Sequence, residues 1–243
     1  MSSADIRGMF AGLPGAHGII EAALNGQGRV MTDGAARPSS AAVLAGDFLF
    51  FGGEPSEELV RRALNAENRA WFAQGSSEFL ALVQAQRAGT WSERIAFDPH
   101  RQPEDAHLTA LLANLPQGVT LVPIGAAEMA FCRKTPWAAD FVNQFTEDEY
   151  ARSGLGVLVC ADGAFVSGAS SYAAYPGGIE VEVDTAPAHR GHGYATLAAA
   201  KLILTAHQQG KIATWDAANE TSAHIAQKLG YRVTCAYQVF TTA

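Results

Sequence analysis

The stretch Pro187-Ala-His-Arg-Gly-His-Gly-Tyr-Ala195 joins a run of alternating apolar and acidic residues, 178–185, to a long apolar run that begins at Tyr194. The alternation predicts a strand and the apolar run predicts a helix, so the stretch is a sharp turn from strand into helix. The first amides of a helix have no partner inside it, and Gly191 and Gly193 carry no Cβ that would keep an anion away. The pattern therefore indicates a cradle of backbone N–H groups for a diphosphate.

Size, charge and composition narrow the classes of function. The 243 residues, 48% of them hydrophobic, suffice for one large domain or two small ones. A net charge of -7 without a basic cluster argues against a nucleic-acid partner. The chain start does not resemble a signal peptide, and no apolar run reaches the roughly 18 residues of a membrane span. We therefore expect a cytoplasmic protein with no membrane partner, and self-association into a homodimer is compatible with the sequence.

The sequence gives no sign of a metal site. The three cysteines are isolated and form no CxxC pair. His189 and His192 are three residues apart, but no acid or cysteine completes a set of ligands with them. Histidines that face solvent or touch a phosphate are the more frequent case, so we expect no metal.

A turn signal, Leu115-Pro-Gln-Gly118, separates two halves of the chain. The first half predicts a strand over residues 45–51 and helices that begin at Ser56, after Ser77 and near Pro103. The second half predicts, in order, a strand at 119–124, helices over 126–145, antiparallel strands at 156–160, 164–173 and 179–185, a helix from 193 to about 209, a strand at 211–215, a helix at 219–229 and final strands over 231–240. We therefore predict an N-terminal α/β segment, 1–116, and a second domain, 117–243.

The order of elements from 119 onward resembles the GNAT superfamily of acyl-CoA-dependent N-acetyltransferases. The coenzyme A loop of that superfamily, (Q/R)xxGx(G/A), is matched by Arg190, Gly193 and Ala195. A second signature, an asparagine followed by small residues and ending K-x-G-(Y/F), is matched by Asn219, Ser222, Lys228, Gly230 and Tyr231. The likeness covers about half the chain. It implies an α/β (α+β) fold with a mixed, mostly antiparallel central sheet, preceded by a smaller α/β part that is a degenerate copy of the same fold.

The run Trp215-Asp-Ala-Ala-Asn219 and the extra N-terminal half look like one GNAT branch, which includes antibiotic self-resistance acetyltransferases. The resemblance implies acetyl-CoA as cosubstrate, bound by the splayed end of the fourth strand, by the loop and by the second motif. The implied cofactor-binding residues are Val183, Asp184, Thr185, Arg190, Gly191, His192, Gly193, Tyr194, Ala195, Thr196, Asn219 and Ser222.

Candidate catalytic residues follow from the same strand. Glu180, Glu182 and Asp184 alternate with apolar residues and share one face, so one of them could accept the proton of an acceptor amine. Glu182 is the first candidate for the base and Glu180 the second, while a simply solvated acidic face is an equally frequent arrangement. Asp216 is a candidate to bind the substrate ammonium, beside Trp215 as a pocket wall or core residue.

The donor of a proton to the leaving thiolate is left open by the sequence. Many GNAT enzymes have a tyrosine in the last helix, and the matching position here is Ala226. The proton then comes from Tyr231, Tyr237 or water, or the thiolate leaves unassisted.

Three functions remain compatible with these residues. We expect an N-acetyltransferase for a small-molecule amine, because an acidic chain with an additional N-terminal half suits a pocket better than a groove for a basic peptide. A protein or peptide N-acetyltransferase and a catalytically silent acyl-CoA-binding regulatory module are the alternatives. A dinucleotide site of the Rossmann type is disfavoured, because Thr196 stands where that fingerprint has Gly or Ala and the preceding strands form hairpins.

Overall fold

Strands and helices follow one another along residues 3–243, the part of the chain that the computed structural model describes. In chain order they are α1 (Ser3–Met9), α2 (His17–Leu24), β1 (Arg29–Thr32), β2 (Ser40–Ala45), β3 (Phe48–Gly53), α3 (Glu57–Leu64), β4 (Phe72–Gln74), α4 (Ser77–Gln86), β5 (Gly89–Phe97), α5 (Asp105–Leu112), β6 (Val119–Pro123), α6 (Ala126–Lys134), a 3-10 helix (Pro136–Phe141), α7 (Glu147–Ser153), β7 (Gly156–Ala161), β8 (Ala164–Tyr175), β9 (Gly178–Thr185), a short 3-10 helix (Pro187–His189), α8 (Tyr194–Gln208), β10 (Ile212–Thr214), β11 (Asp216–Ala217), α9 (Glu220–Leu229) and β12 (Val233–Thr242). Among the described residues, no helix is long and apolar enough to cross a bilayer.

Two compact units share these elements. One contains the residues up to Ala96 together with Cys235–Ala243, and the other contains Phe97–Thr234. The sequence places the boundary later, between 116 and 117. The difference arises because α5 packs inside the second unit, where Asp105 Oδ1 accepts a hydrogen bond from His207 Nδ1 at 2.6 Å. The return of the C-terminal strand to the first unit is also not visible in any local sequence pattern.

The first unit is built on strands in the order β1-β2-β3-β4-β12-β5. β1, β2 and β3 are antiparallel neighbours, and α3 connects β3 to β4, which runs parallel to it. The predicted strand over 45–51 is wrong at its start, because Gly46 has φ of 56° and makes a turn between β2 and β3. The predicted helix start at Ser56 is confirmed: its side chain accepts a hydrogen bond from Leu59 N.

The second unit has a five-stranded sheet in the order β10-β9-β8-β7-β6. β6 to β9 are antiparallel, which confirms the predicted meander, and α8 carries the chain over to β10, which runs parallel to β9. Thr146 and Glu149 form a capping box at the start of α7. The region predicted as helices over 126–145 contains α6 followed by the 3-10 helix Pro136–Phe141.

Both units therefore show the same succession of elements. Three antiparallel strands are followed by a helix, a parallel strand and a second helix, as β1-β2-β3-α3-β4-α4 in one unit and β7-β8-β9-α8-β10-α9 in the other, where the two-residue β11 lies between β10 and α9. This repetition allows the helix that follows the third antiparallel strand to be compared between the units.

Candidate functional site

A gap opens between β9 and β10 in the second unit. The two strands pair over three residues only, and the last pair joins Glu180 to Thr214. β9 continues beyond that point beside β8 as far as Thr185. Residues 181–185 thus have a strand on one side and, in the described pairing, none on the side where β10 had been.

Alternate residues of β9 direct their backbone N–H and C=O groups into this gap. Ala186 N donates to Val166 O on the β8 side at 2.9 Å. Hydrogen bonding alternates along an antiparallel pair, so Val183 and Thr185 direct their N–H and C=O groups away from β8. An extended, peptide-like molecule can pair with such an edge. The predicted role of Val183 as a backbone contact is compatible with this geometry, whereas Thr185 N donates to Asp184 Oδ1 and Thr185 O accepts from Arg190 Nε.

The predicted cradle lies at the far end of the gap, where the chain enters α8. Gly191 and Gly193 have φ of 82° and 79°, and a Cβ built on either glycine would have no atom within 4 Å. α8 begins without a side-chain cap and without an acid in its first turn. Thr196 N and Leu197 N, the third and fourth amides of α8, both donate to Gly193 O. Among the predicted cradle amides, Thr196 N thus has a partner inside the helix, and the amides before it are the ones compatible with an anion.

Arg190 braces the cradle against the end of β9. Its Nε donates to Thr185 O at 3.3 Å, and its Nη2 lies 3.6 Å from Asp184 Oδ1. Asp184 Oδ1 also accepts a hydrogen bond from Thr185 N at 2.6 Å. Both side chains of this ion pair are well exposed, so its contribution to stability is small. The ion pair and the hydrogen bond to Thr185 O connect the loop at Arg190 to the end of β9.

His192 stabilises the turn from within. Its Nδ1 lies 3.1 Å from His189 O and 3.0 Å from Arg190 O, and because carbonyls only accept, Nδ1 is the protonated nitrogen. The imidazole stacks on the ring of Tyr194, with centroids 5.5 Å apart and an interplanar angle of 11°. These contacts preorganise the loop before any ligand arrives.

The equivalent helix start in the first unit is closed to anions. Ser56 caps α3 by accepting from Leu59 N, and Glu57 and Glu58 occupy the first turn. A capped amide with two carboxylates beside it repels a phosphate. Of the two helices that occupy the same place in the repeated succession, α8 alone has an open start.

The three acids of β9 share one face, as predicted. Glu182 lies opposite Ser170 and Asp184 lies opposite Gly168 across the β8 pairing. Ser170 Oγ donates to Phe141 O at 2.7 Å, so this face is the one that the 3-10 helix Pro136–Phe141 covers. Glu180 is 4% exposed and its Oε2 contacts Thr214 Oγ1. Thr214 is a site residue that sequence reasoning missed, because only the strand register brings it to Glu180.

The second motif packs around Trp215 and Asn219. Asn219 is the N-cap of α9, and its Oδ1 accepts a hydrogen bond from Ser222 N at 3.0 Å. Trp215 is buried, and its Nε1 donates to Ser222 Oγ at 3.1 Å. The cap uses the acceptor half of the Asn219 amide, which leaves the Nδ2 donor for a ligand carbonyl. Trp215 supports this motif from the core, and Asp216 follows it in the two-residue strand β11.

Tyr231 occupies a structural position. Its Oη donates to Ala213 O at 2.7 Å, and the side chain is buried. Burial, and after it the nearby Glu180, raises the pKa of Tyr231 well above its usual range. The phenolic proton that the sequence offers to a leaving thiolate is therefore given to a backbone carbonyl here.

Replacing Tyr231 by phenylalanine tests this placement. The variant leaves Ala213 O without the phenol, so we expect the free energy of unfolding to fall by about 1–3 kcal/mol. Urea denaturation followed by circular dichroism measures the change. If the variant keeps its stability but loses turnover, Tyr231 is the proton donor after all.

Ala226, the residue at the position of the GNAT tyrosine, is buried in α9. A methyl group can neither donate nor accept a proton, so Ala226 cannot take the role that the resemblance gives to a tyrosine at this position. No group of three or more His, Cys, Asp or Glu side chains arranged to hold a metal occurs among residues that the structure describes.

Comparison with known proteins agrees with this geometry. The sequence model of the GNAT acetyltransferase family matches residues 9–240. A crystal structure of a GCN5-related N-acetyltransferase-like protein from Streptococcus suis is 31% identical, with a TM-score of 0.88 over 99% of this chain and 98% of that one. No curated protein matches the chain.

More distant structures share the fold. A GCN5-related N-acetyltransferase from Kribbella flavida is 23% identical, with a TM-score of 0.58 over 88% of this chain and 89% of that one. A tandem GNAT protein from the clavulanic acid biosynthesis pathway is 16% identical, with a TM-score of 0.52 over 90% of this chain and 83% of that one. The tandem arrangement agrees with the repeated succession of elements in the two units.

Proposed function

The chain belongs to the GNAT acetyltransferase family, and on that premise we propose that it transfers an acetyl group from acetyl-CoA to the amine of a small molecule. The observation that carries the proposal is the open start of α8 beside the unpaired end of β9. The fit is steric as well as electrostatic, because the two cradle glycines have empty space where a side chain would stand.

In this proposal acetyl-CoA supplies an activated thioester, and the chain supplies orientation and proton transfer. The amides of residues 191–195 hold the diphosphate, and the edge of β9 pairs with the extended arm. The N–H of Val183 points into the gap and stabilises the oxyanion that forms when an amine attacks the acetyl carbonyl. Asn219 Nδ2 donates to the arm from the other side of the gap.

Glu182 is the proposed general base. It lies on the acidic face of β9, next to the Val183 amide, and a carboxylate there attracts a protonated amine and then accepts its proton. Glu180 and Asp184 on the same face favour a cationic acceptor further. Asp216, which follows Trp215, is proposed to bind the acceptor ammonium. This concentration of negative charge supports a small basic amine as the acceptor.

A silent acyl-CoA-binding module is the second candidate, and the buried Ala226 is the observation that favours it. Such a module would bind the carrier without turnover. A screen for thiol release over small amines, polyamines and basic peptides separates the three functions. Release with small amines supports the proposal, release with peptides alone assigns a peptide acetyltransferase, and binding without release assigns the silent module.

Isothermal titration with acetyl-CoA tests the cradle directly. We expect one site per chain, because α8 has an open start while α3 is capped by Ser56 and carries acids in its first turn. A stoichiometry of two would show that the first unit also binds the carrier. Absence of binding at millimolar concentration would exclude both the enzyme and the silent module.

A further inference from the structure

The cradle is built around two glycines, and a glycine allows the peptide planes next to it to turn over at little cost. Gly191 and Gly193 have φ of 82° and 79°, and a Cβ built on either one would have no atom within 4 Å. Glycine adopts positive and negative φ about equally well. If a peptide plane of the loop turns over, its N–H leaves the anion and its C=O takes that place. The cradle therefore requires a group that fixes the orientation of its peptide planes.

His192, which lies between the two glycines, contacts two of these planes. Its Nδ1 is 3.1 Å from His189 O and 3.0 Å from Arg190 O. Carbonyls only accept, so Nδ1 carries a proton that the two oxygens share. The stack of the imidazole on Tyr194 holds the ring in place from one side. Reversal of either peptide plane would break one of the two hydrogen bonds.

These contacts decide which way two backbone amides point. In a trans peptide the N–H lies on the side opposite to the C=O. His189 O shares a plane with Arg190 N, and Arg190 O shares a plane with Gly191 N. Both amides therefore lie on the side of the loop away from the imidazole. Within residues 3–243, neither of them donates a backbone hydrogen bond, so both are available to a ligand.

We propose that His192 is a positioning residue for the diphosphate of acetyl-CoA, an assignment that rests on the proposed function. Its Nδ1–H binds the carbonyl side of two adjacent peptide planes and thereby presents their N–H side to the anion. The imidazole itself needs no contact with the carrier. Because the planes are oriented before binding, the loop loses little conformational freedom when the diphosphate arrives.

The side chain of Arg190 has a different task. Its Nε donates to Thr185 O, which connects the loop to the end of β9. That hydrogen bond positions the loop relative to the strand but contacts no carbonyl of the loop itself. Of these two side chains, only His192 therefore fixes the direction of the loop amides.

The protonation pattern of His192 tests the contact without any ligand. A neutral imidazole has its proton on one nitrogen only, and the hydrogen-bond partners decide which one. Nitrogen-15 NMR of protein with labelled histidine distinguishes the two nitrogens, once the signals are assigned through the backbone. As the pH is raised and the ring becomes neutral, we expect His192 to keep the proton on Nδ1. A neutral ring with its proton on Nε2 overturns the proposal.

Two substitutions separate the hydrogen bonds from the ring stack. His192→Phe keeps a ring beside Tyr194 but has no N–H, whereas His192→Asn has no ring but places its side-chain amide where Nδ1 stands. We expect His192→Phe to weaken acetyl-CoA binding by about tenfold, the equivalent of one hydrogen bond from the cradle to the diphosphate. His192→Asn should restore most of the affinity. Isothermal titration measures both.

His189→Phe is the matched control, because it replaces the other exposed histidine of the same loop. Only the backbone of His189 takes part in the contact, so this variant should bind acetyl-CoA within about twofold of the wild type. Wild-type affinity in His192→Phe, or equal losses in His192→Phe and His192→Asn, overturns the proposal. Failure of acetyl-CoA to bind the wild-type protein refutes the proposed function instead. The NMR result is independent of that outcome and of whether the variants fold.

Discussion

Replacing Gly193 by valine is expected to weaken acetyl-CoA binding by about 100-fold. Gly193 has φ of 79°, a region that costs an L-residue about 1–2 kcal/mol and a β-branched residue more. The substituted turn relieves this strain by rotating its peptide planes, so the amides before Thr196 no longer converge. Loss of two charge-assisted hydrogen bonds of about 1.5 kcal/mol each accounts for a change of this size. Isothermal titration measures it.

Gly210→Val is the matched control. Gly210 lies at the other end of α8, has φ of 69° and likewise has nothing within 4 Å of a Cβ. Both substitutions impose the same kind of backbone strain on the same helix, and both should lower the thermal midpoint by similar amounts. Only Gly193→Val should affect affinity. Equal affinities in the two variants would show that the start of α8 is not where the carrier binds.

The cradle was accessible to sequence reasoning because it is local. Gly191, Gly193 and the start of α8 at Tyr194 lie within four residues of one another, and the alternation of β9 predicts both the strand and its acidic face. The same is true of the caps at Ser56 and Thr146, which depend on residues three positions apart. In each case the feature depends on whether a residue nearby in the sequence forms a hydrogen bond with a backbone N–H group at the helix start.

Contacts between distant parts of the chain were not accessible in this way. Thr214 reaches Glu180 through a parallel pairing that α8 makes possible, and Tyr231 reaches Ala213 O across the same region. The compact units divide the chain earlier than the predicted boundary for the same reason, since α5 joins the second unit through its contact with α8 and not through its own composition. The buried contact of Glu180 with Thr214 depends on this pairing, so no local pattern around Glu180 could predict it.

Glu182→Gln is expected to lower kcat by about 100-fold, with the KM for acetyl-CoA nearly unchanged. Removal of a general base costs turnover by that order, because the amide has the shape of the carboxylate but cannot accept the proton of the attacking amine. The carrier is proposed to contact the backbone of β9, which this substitution leaves in place. Steady-state kinetics with acetyl-CoA varied at a saturating amine separates the two constants.

Asp184→Asn, on the same face of the same strand, should give the opposite result. It weakens the ion pair with Arg190 that braces the cradle, and since that pair is exposed we expect KM to rise only roughly two- to fivefold while kcat changes little. We thus expect the Glu182 variant to change kcat and the Asp184 variant to change KM, because the two acids lie on one strand but have different neighbours. If both variants alter KM alone, the face binds the carrier and the base must be water; if Glu182→Gln turns over like the wild type, Glu182 is a solvated strand residue.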